Sequence, residues 1–476
     1  MRIAQILEIM GVGFKTPLDQ DWSLYSTTYN SRVPVTPKIV VLPANIEEVS
    51  CAVYCANLCG LKVQARSGGH SYASHSSGGV DGSMVVDLRN LQQLYFCDNN
   101  TVCVGAGVRL GYLAESIFTS AEAAIAHGTC PSVGIGGHFT HGGFGMLSRA
   151  WGLAMDHIVG LQVVMADGEL ISASNRENKS IFKAMRGAAD SFGIIVTFDL
   201  RTREAPKAVV NWTINIPEAM KSVSNAVETF ELVQNFVNGP VHVDRRLGLV
   251  VFLKHDRFTL KGTYLGEVDE FFSGTLSYLL HLLPHKRGIQ VKFSQFGWLK
   301  LLQKMAGGTP LVCDSSVVKP HCFFTKSAAV ASLGLSRDNL EEYFTYLLSS
   351  GAKTSIDYFI GVQLYGGADS RITARSSTID SFGNRNAMWI FQHYGFPKDD
   401  LGLTEFPEEG VRFIEGLNKA LGPGHGASSN YPDPSLERDE ALRLYYGSKL
   451  EALMKLKGEL DPKDLFSHPQ SIPPKF

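Results

Sequence analysis

The chain has 476 residues, more than one hydrophobic core usually fills, so two or more domains with room for an enclosed site are expected. Lys+Arg total 44 against 46 Asp+Glu, a formal charge of −2, and no basic stripe or polybasic tail would concentrate a polyanion, which argues against nucleic acid as a partner. No apolar run approaches the ~20 residues needed to cross a bilayer, so no membrane span is expected.

In chain order, Met1–Met10 has one Arg and an apolar patch broken by Gln5 and Glu8, without the long apolar region and small-residue cleavage site of a leader. Lys38–Leu42 reads as a strand. Asn45, with Glu48 three residues on, forms a capping box opening a helix that closes at Gly60, and Leu61–Ala65 reads as a second strand. This unit runs directly into Arg66-Ser67-Gly68-Gly69-His70-Ser71-Tyr72. Short strands follow at Met84–Leu88, Val102–Val104, Val159–Met165 and Ile194–Leu200, punctuated by glycines. From about Ala205 glycine thins out, and amphipathic segments (Val223–Val237, Leu340–Leu348) alternate with β-rich ones (Leu247–Leu253, Tyr358–Leu364). Arg438–Leu460 has a helical apolar period stopped by Asp461-Pro462. The pattern is α+β.

The eight cysteines are too sparse for a disulfide framework. Cys51, Cys55 and Cys59 recur on one helical face and read as a thiolate cluster or as small apolar core residues. Cys97 and Cys103 bracket a turn-like Asp98-Asn99-Asn100, where a cross-hairpin disulfide is one reading; Cys313 with Cys322 is another pairing. Sequons stand at Asn99, Asn178 and Asn211.

Two glycine-dense loops carry the chemistry, Ser67–Gly79 and Gly128–Gly145. Glycines let successive N–H groups converge on an anion, so a diphosphate cofactor follows. A Rossmann site is excluded, since neither Gly134-Ile135-Gly136-Gly137 nor Gly105-Ala106-Gly107 has the required glycine spacing. A metal reading of His127, Cys130, His138 and His141 is set aside, because a glycine-rich loop is a poor rigid scaffold and no carboxylate accompanies the cluster in sequence. No metal is expected.

RSGGHSY around His70, HGTCPSVGIGGHFTHGGFG around Cys130, GLAMDHIVGLQVVMADG, IFKAMRGAADSFGIIVTF, NYPD at Asn430–Asp433 and YYGSKLEALMKLKGELDPKDLF together resemble the berberine-bridge-enzyme-like branch of the vanillyl-alcohol-oxidase flavoproteins. Within that branch the chain resembles the fungal glucooligosaccharide and lactose (carbohydrate) oxidases, over nearly its whole length from about Lys38. The resemblance implies a two-domain fold: an FAD-binding domain over 1–205, a substrate-binding domain over 206–427 with an antiparallel sheet covered by helices, and a C-terminal segment, 428–476, returning to the first domain.

It also implies one covalent FAD per chain, attached through His70 to the 8α-methyl and through Cys130 to C6. Imidazole and thiolate suit addition to an electron-poor ring. The cofactor-binding set would be Arg66, Ser67, Gly68, Gly69, Ser71, Thr129, Val133, Gly134, Gly136, Gly137, His138, Gly143, Gly145, Ile195, Val196 and Asn430, with Val133 bordering the oxygen face. Tyr431 stands where the family places its catalytic tyrosine. A phenol with pKa near ~10 must have its phenolate stabilised to act as base near neutrality. Tyr72, Arg246, Gln363 and Tyr365 would contact substrate.

The chain departs from the pattern at several points. The sugar oxidases have an aspartate before a Gly-Gly pair to assist the tyrosine, whereas this chain reads Gly361-Val362-Gln363-Leu364-Tyr365-Gly366-Gly367. Gly248 stands where the family uses a glutamate, Lys449 where many relatives carry Asn, and Ala188-Ala189-Asp190 interrupts a usual glycine run. The expected activity is oxidation of the anomeric hydroxyl of reducing-end oligosaccharides to the lactone, with oxygen as acceptor and hydrogen peroxide as product. The alternative is an oxidase or dehydrogenase of another alcohol or secondary metabolite with the same bicovalent flavin. The partners implied are a small-molecule carbohydrate and molecular oxygen. The enzyme is expected to be a monomer, secreted with its leader absent from this chain, or alternatively cytoplasmic.

Overall fold

The computed structural model describes residues 2–98, 100–312, 319–376, 378–398 and 405–476; Asn99 and Cys313, and the readings that rest on them, lie outside these. The helix after Asn45 forms as its caps dictate. Asn45 accepts from the Glu48 N–H at 2.9 Å, the Glu48 carboxylate accepts from the Ala44 N–H at 2.8 Å, and Gly60 closes Ile46–Cys59 in the left-handed region at φ 66°. Around this helix Ile39–Val41, Met84–Asp87 and Val63–Arg66 lie parallel in a four-stranded sheet, with Phe14–Lys15 antiparallel at its edge. A five-stranded antiparallel sheet follows, in the order Leu94–Asp98, Thr101–Gly105, Ile194–Arg201, Ile158–Val164, Leu170–Ser174.

These two sheets share one hydrophobic core, built mainly from the chain up to Leu200 and again from Ala427, with a few members from between, among them Tyr365, Phe382 and Ala387. Between those two stretches of chain lies a second core under a seven-stranded antiparallel sheet ordered Gln290–Phe296, Val209–Asn215, Arg257–Leu265, Leu247–Lys254, Ile356–Leu364, Ala387–Pro397, Phe324–Ala331. Helices Val223–Asn238, Arg337–Ser350 and Glu408–Lys419 cover one face of it. Strand alternation sorts the side chains cleanly. Val251, Leu253, Leu260, Ile360 and Val362 pack under the helices, while Val250, Lys261 and Gln363 take the opposite face. That opposite face is turned to the first core, where Ala329 and Ile390 join it.

Two expectations are corrected. Arg438–Leu460 is not one helix: Gly447, at φ 55° and ψ −129°, separates Arg438–Tyr446 from a short 3₁₀ turn and Leu450–Leu460. Lys449 in that break donates to the carbonyls of Asp380 (3.0 Å) and Phe382 (2.6 Å), which holds the turn in place. Cys97 and Cys103 are free thiols, since the strand register sets Tyr95, not Cys97, opposite Cys103. Cys51, Cys55 and Cys59 are also free; Cys55 is buried and burial raises its thiol pKa, as the core reading requires.

Candidate functional site

The two glycine loops meet backbone to backbone. A Cβ on Gly68 would stand 2.1 Å from the Gly134 nitrogen, and one on Gly136 would stand 2.8 Å from the Ser67 Cβ. Ser67 ties them, its hydroxyl donating to the Ala106 carbonyl (2.6 Å) and accepting from the Gly136 N–H (3.2 Å). From Ser67 through Ala73 no backbone N–H donates to a backbone carbonyl, although Gly68 and Gly69 are buried. Such a run of unclaimed donors needs an acceptor from outside the chain. Gly137, facing open space, lies exposed beside it. The donors and space fit a diphosphate cofactor. Gly143 (φ 77°) and Gly145 are glycines for packing: a Cβ would stand 2.5 Å from the Ala154 Cβ and 1.9 Å from the His127 carbonyl, respectively.

The other expected cofactor residues are distributed as follows. Arg66 is buried, its guanidinium donating to the carbonyls of Ser76 (3.1 Å) and Tyr25 and lying 3.4 Å from Asp87, while its Nη2 is buried without a partner among the described residues. Ser71 accepts from the His75 N–H at 3.0 Å. Val133 is partly buried, with its carbonyl held by the Leu110 N–H at 2.9 Å. His138 accepts from the Gly128 N–H at 2.9 Å, and burial pulls its pKa down to about 3, so it is neutral. Ile195 and Val196 are buried at a register shift in Ile194–Arg201. Asn430 donates to the His141 carbonyl at 2.7 Å. Thr129 directly precedes Cys130 on the loop.

His70 and Cys130 are brought to the same place through Ser132. The His70 ring interacts with the Ser132 backbone, and Cys130 Sγ lies 3.3 Å from Ser132 Oγ. Burial, then the Arg109 and His321 charges, pulls His70 down to about 4, so it is a neutral imidazole with a lone pair at neutral pH. Cys130 is exposed.

Beyond His70 stands an aromatic wall. Tyr29 packs on His70 (4.5 Å between centroids), Tyr72 stacks with Tyr431 (5.7 Å), and Phe323 meets Tyr72 and Tyr394, each at 4.8 Å. Two glutamine amides from the sheet reach this wall. Gln363 Nε2 donates to the Tyr431 hydroxyl at 2.8 Å, and Gln392 Nε2 to the Tyr72 hydroxyl at 3.2 Å. Gln363 Oε1 is buried and has no partner among the described residues. Burial pushes the Tyr431 phenol up and the Gln363 bond pulls against it, leaving it raised; Tyr72 is raised further, again chiefly by burial. Tyr365 lies buried behind, stacked on Phe144 at 4.7 Å.

Arg246 does not join this group. It donates to Asp244 (3.0 Å) and Glu270 (2.9 Å) and lies over Tyr264, whose ring belongs to the helix-covered core. The sequence reading also missed four members, Tyr29, Phe323, Tyr394 and Gln392. The alternation of Gln392 with Tyr394 was the signal available for the last two. His141, expected to lack a carboxylate, has one: its Nε2 lies 3.2 Å from Asp190, which also receives His468 at 3.1 Å. Asp190 outweighs burial at His141 and raises its pKa.

Residues 37–174 match the family described as FAD binding domain, and residues 428–473 the family described as berberine and berberine like. The chain is 30% identical over 475 residues to a chitooligosaccharide oxidase of Gibberella zeae, covering 97% of this chain and 93% of the relative. It is 32% identical over 465 residues to a xylooligosaccharide oxidase of Thermothelomyces thermophilus, covering 95% and 90%. Among solved structures it superposes, with a TM-score of 0.94 at 26% identity and full coverage of both chains, on a glucooligosaccharide oxidase from Acremonium strictum described as carrying 6-S-cysteinyl, 8α-N1-histidyl FAD.

Proposed function

The chain belongs to the berberine-bridge-enzyme-like, FAD-linked oxidases, and from that premise we propose that it oxidises the anomeric hydroxyl of reducing-end oligosaccharides to the lactone, with oxygen reduced to hydrogen peroxide. It is an FAD-dependent oxidoreductase of the carbohydrate-oxidase kind. The observation that carries the finer reading is Tyr431: a partly buried phenol, bonded by the Gln363 amide and stacked on Tyr72 beside His70 in an aromatic-walled cleft.

His70 and Cys130 would hold the flavin covalently, and the unclaimed N–H groups from Ser67 onward, with Gly136 and Gly137, would take the diphosphate. FAD bound there would supply the hydride acceptor, with oxygen as the final acceptor of the electrons. Tyr431 takes the proton from the substrate hydroxyl, so that the carbon beneath it releases hydride. Gln363 Nε2 favours the phenolate by donating to it, in the place where the family's carboxylate would act. Its unpartnered Oε1 would accept from a second substrate hydroxyl, beside the one whose proton goes to Tyr431, and so would orient the anomeric carbon. The aromatic faces of Tyr72 and Tyr394, backed by the fully buried Phe323, would offer sugar rings a stacking surface.

Residues 206–427 would bind substrate and 428–476 would return Tyr431 to the flavin side. The enzyme would act outside the cell as a monomer, its cleft being complete within one chain. The neutral Gln363 also favours a second reading, oxidation of a different alcohol on the same flavin. The deciding experiment denatures and acid-precipitates the protein and its His70→Ala, Cys130→Ala and double variants, then screens reducing oligosaccharides for peroxide. Yellow pellets from both single variants, a colourless one from the double and peroxide with a sugar support the reading. A wild type that releases its flavin refutes the double attachment, and a stable flavoprotein inert to every sugar moves the assignment to the second reading.

A further inference from the structure

One row of residues crosses five strands on the cleft face of the seven-stranded sheet. The register pairs Lys292 with Thr213, Thr213 with Lys261, Lys261 with Val250, and Val250 with Gln363. Directly paired residues point to the same side, so the row begins at the amide on Tyr431 and ends at the edge strand Gln290–Phe296. Burial agrees: Leu260 and Tyr264, flanking in alternation, lie in the helix-covered core and Lys261 does not. The face continues to the first half of the chain, where the Thr263 hydroxyl lies 3.5 Å from the Met146 carbonyl.

Lys261 is the unusual member. Its ammonium sits 3.6 Å from the centroid of the Phe252 ring, which lies one step along the same face, opposite Gly361. It is half-buried, and burial alone lowers its pKa, with no anion raising it. Among the described residues neither Lys261 nor Lys292 has a carboxylate within 4.0 Å, whereas Lys254 on the same face is paired to Asp357 at 3.0 Å. On its own strand the hydroxyls two residues to either side are engaged elsewhere, Thr259 with Asn215 at 2.8 Å and Thr263 with Met146. An ammonium carries three donors, and an aromatic face satisfies it only in part. A partly desolvated cation without a counter-ion is costly, and a bound anion relieves that cost. Strands lie ~4.8 Å apart, which puts Lys261 about 10 Å and Lys292 about 19 Å from Gln363 along the row. The first span corresponds to one or two sugar rings beyond the ring that is oxidised.

We propose that this row is an anion subsite: Lys261 on Phe252, with Lys292 beyond it, binds a negatively charged substituent of the saccharide whose reducing end lies at Tyr431. The substrate class is therefore an acidic oligosaccharide, carrying a uronic-acid carboxylate or a sulfate ester one or two rings from the reducing end. The inference rests on the oxidase reading of the Tyr431 site and extends it.

The test titrates the air-free holoenzyme with three oligosaccharides of equal length, one neutral, one containing uronic acid and one sulfated, reading the flavin difference spectrum. Expected is at least about tenfold tighter binding of one charged ligand over the neutral one, weakened as salt rises, with that ratio collapsing in Lys261→Met and shrinking less in the exposed Lys292→Met. Whichever charged ligand is preferred identifies the substituent. Equal affinities for all three, or a preference that survives both substitutions, overturns the subsite and leaves the oxidase reading standing. If no saccharide perturbs the flavin, both fall together.

Discussion

Replacing Gln363 with Leu removes the one hydrogen bond that favours the Tyr431 phenolate, at 2.8 Å, while nearly preserving volume. In the present structure burial raises the phenol and this bond opposes it, so its loss moves the pKa further up. Hydrogen bonds to charged groups contribute roughly 1.5–3 kcal/mol, and each pKa unit corresponds to about 1.36 kcal/mol, so the expected rise is about one to two units. A base works only when deprotonated. Below its pKa the phenolate fraction falls tenfold per unit, and kcat/KM near neutrality should drop by about 10- to 100-fold. The assay is kcat/KM for peroxide production against pH: the rise of the profile toward alkaline pH should move up by the same one to two units, with the flavin spectrum unchanged. A profile that stays in place, or moves down, refutes the assignment of Gln363 as the group that stabilises the phenolate.

Tyr431→Phe should lower kcat by about 10²- to 10⁴-fold, the usual range for a positioned acid–base group, while full flavin content is retained; loss of flavin instead would mark Tyr431 as structural. Gly68→Ala places a Cβ 2.1 Å from the Gly134 nitrogen and should abolish flavin retention, read as the ratio of flavin to protein absorbance. Asp156→Asn weakens a buried pair in which Arg385 Nη1 lies 2.8 Å away while Arg385 keeps Asp380 at 2.6 Å, and should cost about 1.5–3 kcal/mol in unfolding stability. Burial alone would raise the Asp156 pKa, but Arg385 lowers it below the ordinary carboxylate value. Its contribution is therefore present above the unfolded pKa and lost as pH falls through the folded one, so between pH 7 and 3 the wild type should lose more stability than Asp156→Asn does.

What could be read from the sequence was what local chemistry fixes. The helix Ile46–Cys59 needed only Asn45, Glu48 and Gly60, and the two glycine loops declared themselves by composition. The aromatic wall was out of reach because its members meet only through long-range packing: Tyr29 reaches His70 beside an isolated bridge between Asn30 and His321. The strand Ala387–Pro397 hid Gln392 because both its faces are largely buried, one by helices and one by the first core, so polar alternation is weak. Arg246 was misplaced for a related reason. It stands at the mouth of a strand whose alternation suggests the cleft, but Asp244 and Glu270 draw its guanidinium toward the helical side.

Tyr431 itself stands on a loop, and its place is set from both cores at once. Asn430 ties the loop to the His141 carbonyl at the end of the glycine-rich segment, and His141 in turn is held by Asp190. On the other side Lys326, from the seven-stranded sheet, pairs with Asp433 at 2.6 Å, and Gln363 from the same sheet bonds the phenol. The proposed base is thus positioned by the same backbone segment that would offer Gly137 and His138 to the cofactor, and by the same sheet whose cleft face carries Lys261. A shift of either core moves the phenol relative to the other. The alignment of proton acceptor, flavin side and sugar groove therefore depends on how the two cores pack, and not on the loop's own conformational preference.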